Sequence, residues 1–344
     1  MFTKWLSLLC LPILLLGCNG GASGSGSTDT PSTDKPAAPT STLKPVEGEF
    51  KVALITPGEV SDAGWSAMAY QALKGVEAVT GAKVSNEVAG GTKIKDSMRS
   101  YAQEGYHLVF GHGFEYNEPG VELAKDFPNT VFVSSSGGKT ASNAGAFRFY
   151  LEQGFYLAGI MAAEMSKSGR IATVGLVGIP SIDSTFKAFE AGAKSVKPEI
   201  KVVNIGLQNG TDVAAAKQAT LSAIGEGADF VIHQANNAAK GVFDACEEKG
   251  VYAFGANSDQ NDNSSAVIAS AIINAKPAFI DLAERVKAGK YVGGVELFGL
   301  DKGAIDFIVN PALAGKVSPE AMAAVENARA EIKAGKLVVP KDEF

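Results

Sequence analysis

The 344-residue chain reads as an α/β protein of two lobes. Each lobe is expected to be a parallel sheet flanked by helices, the pair hinged around a central cleft. Three observations predict this. Short apolar runs alternate with helical stretches along most of the chain, the pattern of parallel sheets covered on both faces. The runs are too many for one compact sheet. Several of them end in small or polar residues, where an open parallel sheet keeps its ligand.

The elements follow in order. Lys51–Thr56 (KVALIT) is a buried-strand pattern closed by Pro57-Gly58. Trp65–Thr80 is a helix with Trp65, Met68, Ala72, Val76 and Val79 on one face. Leu108–Phe110 and Thr130–Val133 are short strands that meet Gly111-His112-Gly113 and Ser134-Ser135-Ser136. A helix over Leu151–Met165 leads to a strand over Ile171–Val177 and a helix over Ser184–Val196. Strands at Val202–Leu207, Phe230–His233 and Val251–Phe254, separated by helices over Val213–Gly225 and Ala238–Lys249, complete a second series. The lobes should join near Gly145–Tyr150 and again near Asp259–Asn274. One lobe is then 48–147 plus about 260–300, and the other 148–259 plus about 301–344.

The N-terminus reads as an address and an anchor. Lys4 precedes an apolar run from Trp5 to Leu16, too short to span a bilayer comfortably and suited to a signal-peptide core. The run ends in Leu15-Leu16-Gly17-Cys18, which resembles the bacterial lipobox; the resemblance implies cleavage after residue 17 and a lipid on Cys18. Residues 18–47 follow as a tether. From Asn19 to Thr42 it holds no Val, Leu, Ile, Phe, Tyr or Trp, so it cannot bury apolar surface and is expected to stay disordered. Cys246 is then the one cysteine of the folded body, and no intramolecular disulfide is expected.

Composition removes several function classes. Lys and Arg number 31 against 37 Asp and Glu, with no run of consecutive basic residues, which argues against a nucleic-acid partner. His107, His112 and His233 are widely spaced, and no metal site is expected. The dinucleotide fingerprint fails, because Gly111 and Gly113 are followed by Tyr116 where the third glycine belongs. Phosphate-loop and nucleophile-elbow patterns are missing too. The expectation is a binding protein, not an enzyme, with no catalytic residues and no cofactor.

The loops beyond the strand ends carry the candidate ligand residues: Asp62, Trp65, His112, Ser135, Phe186, Asn236, Asn237 and Asp259. Each has a structural alternative. Asp62 is placed to cap the helix that begins near Trp65, Asn236 and Asn237 to satisfy turn backbone, and Phe186 to pack its helix on the sheet.

Several stretches resemble the basic-membrane-protein family, lipoproteins that serve ABC importers as substrate-binding proteins. Ser61-Asp62-Ala63-Gly64-Trp65-Ser66 is similar to the family's opening motif, and Tyr150 to Gly159 to its "eGsyLaG" helix. Asp229 to Gln234 with Asn236-Asn237, and Tyr252 to Gln260, resemble its second-lobe strand and its "G-x-x-sD" turn. The likeness runs from about Lys51 to Val339. It implies the type I periplasmic-binding-protein fold, a purine base or purine nucleoside as solute, ABC permease subunits as partners, and a place in the bacterial cell envelope. It also implies that Trp65 and Phe186 sandwich the base, that the loops at His112 and Ser135 read its edge, and that Asp259 meets ribose hydroxyls. Two departures bear on the ligand. Ser134-Ser135-Ser136 stands where nucleoside binders commonly carry Asp, and Ile273 stands in the stretch where they carry Lys. Base and nucleoside both remain open. Alternatives are another small solute such as a sugar, or a sensory or adhesive lipoprotein on the same fold.

Overall fold

The computed structural model describes residues 41–61 and 65–343. The expected leader, Cys18 and Asp62 lie outside the described residues.

Lobe 1 begins with β1 (Lys51–Thr56), α1 (Trp65–Thr80), β2 (Lys83–Val88), α2 (Ile94–Gln103), β3 (Leu108–Gly111), α3 (Asn117–Ala124), β4 (Val131–Ser135) and β5 (Ala144–Phe149). Lobe 2 follows with α4 (Glu152–Met165), β6 (Arg170–Leu176), α5 (Pro180–Val196), β7 (Lys201–Leu207), α6 (Val213–Gly225), β8 (Phe230–Gln234), α7 (Ala239–Lys249), β9 (Tyr252–Asn257) and β10 (Val267–Ile273). The chain then returns to lobe 1 for α8 (Lys276–Lys287) and β11 (Val295–Phe298), and ends in lobe 2 with β12 (Ile305–Val309) and α9 (Pro319–Lys333).

The first sheet runs β11-β5-β4-β3-β1-β2 and the second β12-β10-β9-β8-β6-β7. The two orders are the same pattern. Every pairing is parallel except β12 against β10. The inner strands β3 and β4 are buried along their whole length, because helices cover both faces of the sheet. The edge strand β2 (KVSNEV) exposes most of its residues, so it lacks the apolar run that marks the others.

Helix starts and stops follow local chemistry. Asp212 accepts a hydrogen bond from the Ala215 N–H and caps α6. Gly250, left-handed at φ +65°, ends α7. Pro180 opens α5 at a position where its missing N–H costs nothing, so the helix starts four residues before Ser184. Helix α4 is buried from Glu152 to Ala163. Its fit against α5 requires glycine: a Cβ on Gly159 would lie 2.0 Å from the Phe189 carbonyl oxygen, and one on Gly192 2.0 Å from that of Tyr156.

Three strand connections join the lobes: 150–151 between β5 and α4, 274–275 between β10 and α8, and 299–304 between β11 and β12. The expected organisation placed about 260–300 in lobe 1. The chain instead stays in lobe 2 through β10, because Val267–Ile273 is an apolar strand that pairs with β9 and β12. The return falls at the far end of the expected Asp259–Asn274 joint. The C-terminal segment beyond α9 reaches the 150–151 connection as a strap. The Tyr150 hydroxyl donates to the Val339 carbonyl, Arg148 Nη1 donates to the Asp342 carbonyl (2.8 Å), and the Asp342 N–H donates to Ser184 Oγ (2.9 Å).

Candidate binding cleft

A cavity of about 530 Å³ lies between the lobes, lined from both sides. That size suits a small organic ligand. Its walls come from the start of α1 and the C-terminal ends of β3 and β4 in lobe 1, from the ends of β6, β8 and β9 in lobe 2, and from the joint at 148–152.

On the lobe 1 side, Trp65 opens α1 and stacks on the His112 imidazole, centroids 3.9 Å apart and planes 20° apart. The indole Nε1 donates to the His112 carbonyl (3.2 Å). His112 Nε2 donates to the Trp65 carbonyl (3.0 Å), since a carbonyl can only accept, and Nδ1 lies 2.9 Å from Ser135 Oγ. His112 and Ser135 are buried while Trp65 keeps part of its surface in the cleft. Phe149 meets the indole edge-on. The result is an aromatic platform whose tilt is fixed by hydrogen bonds at both ends.

The loop after β3 adds two lining residues that sequence reasoning missed. Phe114 is 70% exposed, a large apolar side chain at the cleft. Glu115 turns back over Gly113, where a Cβ would lie 2.3 Å from its Oε2, so a side chain at 113 would push the Glu115 carboxylate aside. Burial raises the Glu115 carboxyl above its usual range. The legible signal was an aromatic and an acid directly after Gly111-His112-Gly113.

At the joint, Arg148 and Glu152 form a buried ion pair at 2.6 Å, and Ser184 Oγ donates to the same carboxylate oxygen at 2.6 Å. Desolvation still raises the Glu152 carboxyl, outweighing Ser184 and Arg148, which lower it. Both residues line the cleft and were not singled out from the sequence.

On the lobe 2 side, Asn236 and Asn237 line the cleft with Gln234, Asn257 and Gln260. Asn257 Nδ2 donates to Gln234 Oε1 (3.1 Å). Among the described residues, the non-glycine residues with positive φ are Ser136 (+122°), Asn236 (+48°) and Asn257 (+69°), and all three line this cavity. Strained backbone gathered in one place is a mark of a functional site.

Two candidates lie elsewhere. Phe186 is not among the lining residues. Its ring packs against β6, where a Cβ on Gly175 would lie 2.6 Å away, and is tilted against Phe155. Asp259 is exposed and also outside the lining; its Oδ1 accepts from the Asn261 N–H (3.1 Å), an Asx turn within its own loop. Among the described residues no cluster of His, Cys, Asp and Glu could hold a metal ion, and no helix is long and apolar enough to cross a membrane.

Two lobes with matching parallel sheets, three connections and a lined cleft between them define a type I periplasmic-binding-protein fold. The solute-binding protein of an ABC transporter from Conexibacter woesei shares it, with a TM-score of 0.70 at 22% identity over 85% of this chain and 99% of that one. Residues 50–343 match the Bmp family of PnrA-like ABC transporter substrate-binding proteins, and the chain belongs to that family. Among its relatives, a purine-binding protein of Brucella abortus is 29% identical over 85% of this chain and 83% of its own length. The ABC transporter nucleoside-binding protein BmpA of Lactococcus lactis is 30% identical over 71% of this chain and 74% of its own.

Proposed function

We propose that this ABC substrate-binding protein takes a purine base or purine nucleoside into the interlobe cleft and delivers it to the transmembrane subunits of an importer, held at the cell envelope by a lipid on Cys18. The observation that carries the solute class is the Trp65 platform. A purine has two π-faces, and stacking on an aromatic side chain contributes about 1–3 kcal/mol per base. His112 occupies one face of the indole and sets its tilt. The names of the Brucella and Lactococcus relatives favour the same class. The anchor rests on the Leu15–Cys18 sequence alone.

The mechanism is a shift of population. Contacts from both lobes act together only when the lobes are closed, so solute favours closure about the joint, and the closed surface is what the permease reads. Asn236 and Asn237 supply polar contacts from lobe 2, and Ser135 stands behind His112 in lobe 1. Asp259 would reach a ribose only if its loop moved inward on closure.

Calorimetric titration with adenine, guanine, hypoxanthine and their nucleosides tests the reading. At least one should bind saturably. Trp65→Ala should cost about 1–3 kcal/mol, roughly fivefold to more than a hundredfold in Kd, and Trp65→Phe should recover much of it. No binding of any of these compounds would overturn the assignment.

A further inference from the structure

We infer that Gln260 is a specificity-determining residue of the cleft, presenting its amide nitrogen as a fixed hydrogen-bond donor, and that His233 is the residue that positions it. The inference deepens the purine reading and rests on it. It assigns the solute a hydrogen-bond acceptor, a purine carbonyl oxygen or ring nitrogen, at the lobe 2 wall.

The orientation of a glutamine amide is set by its partners. Gln260 Oε1 lies 2.8 Å from the Ala256 N–H and 2.9 Å from His233 Nε2. A main-chain N–H can only donate, so the atom facing it must be the amide oxygen. His233 agrees independently. Its Nδ1 accepts from the Ala235 N–H (3.3 Å), which places the ring proton on Nε2 and aims it at the same oxygen. His233 is buried, and desolvation lowers its pKa to about 4, so this tautomer persists through neutral pH. Two donors therefore hold the oxygen on the protein side. The amide nitrogen of Gln260 has no hydrogen-bond partner among the described residues, and Gln260 lines the cavity. The loop is itself held, since the Gln260 N–H donates to Ser270 Oγ (3.1 Å).

The arrangement makes Gln260→Glu an informative change. One carboxylate oxygen can keep both protein contacts, while the other replaces a donor with an acceptor facing the solute. Titrations of wild type, Gln260→Glu, His233→Phe and His233→Gln with hypoxanthine, guanine and their 6-deoxo and 7-deaza analogues test it, alongside thermal melts. Wild type should lose affinity when one acceptor is removed from the solute. Gln260→Glu should bind the parent base at least tenfold more weakly, melt close to wild type, and no longer distinguish parent from that analogue. His233→Phe should lose affinity through a freed amide, and His233→Gln, which retains a donor, should recover part of it. Purine binding by wild type with unaltered affinity and selectivity in Gln260→Glu would overturn the inference and leave the purine reading standing. No purine binding by wild type would overturn both.

Discussion

Trp65 and Phe186 show how two aromatics near helix starts acquire different surroundings. Trp65 is the first residue of α1 and is tied by hydrogen bonds to the end of β3. Phe186 lies six residues into α5 because the helix begins at Pro180, and its ring turns onto Gly175 of β6. Phe186→Ala should therefore cost stability, about 3 kcal/mol at the low end for a Phe truncation, and leave solute affinity nearly unchanged. Denaturant melts and calorimetry on one preparation separate the two; lost affinity with unchanged stability would return Phe186 to the ligand. His233 gives a second expectation. Its folded pKa lies near 4 against 6.5 for the free group, so between these values the unfolded chain binds a proton that the folded chain refuses. Its contribution is fully present above pH 6.5 and is lost as pH falls through 4, up to about 3 kcal/mol. Stability against pH should be flatter in His233→Gln than in wild type over that window. Parallel curves would show that His233 does not carry the difference.

At the scale of elements, the α4–α5 pair is held by close backbone approach at two glycines. Gly159→Ala would drive a methyl onto the Phe189 carbonyl, and either the helices separate or the backbone bends. Overpacking of this kind costs about 1–3 kcal/mol or more, and a drop in melting temperature larger than that of Gly225→Ala, which meets open space, would register it. Equal drops would mean the pair slides freely. The buried strands were legible in sequence because β1, β3 and β4 each hold an unbroken apolar run, Val52–Ile55, Leu108–Phe110 and Val131–Val133. The edge strand β2 was not, since among the described residues it pairs on one side only and four of its six residues are polar. The cleft was legible as a set of loops, because strand-end position follows from strand order. What those loops present was less so. Asp259 and Gln260 are neighbours in one turn, and only the hydrogen bonds of Ala256, His233 and Asn261 decide which of them lines the cavity. Such partners come from residues distant along the chain, and no local pattern encodes them.

For the whole molecule, the strap beyond α9 ties the chain end to the joint between the lobes. Removing residues 339–344 would leave the buried Tyr150 hydroxyl without its acceptor and take a partner from Arg148. An unmade buried hydrogen bond costs about 1–3 kcal/mol. The truncated protein should melt lower and sample wider lobe separations by small-angle scattering, and an unchanged scattering profile would limit the strap to stability. The interleaved path of the chain also governs its birth. Strand β5 ends at Phe149, but the strand that covers its outer edge, β11, starts at Val295. At about 5–20 residues per second of synthesis, that edge waits roughly 7–30 s for its neighbour. During that interval lobe 1 presents an unpaired β-edge to other nascent chains, a hazard for aggregation. Escape from it depends on α4 through β10 of lobe 2 emerging first, so slow codons or pauses between residues 150 and 295 should lower the yield of soluble protein without altering the finished fold.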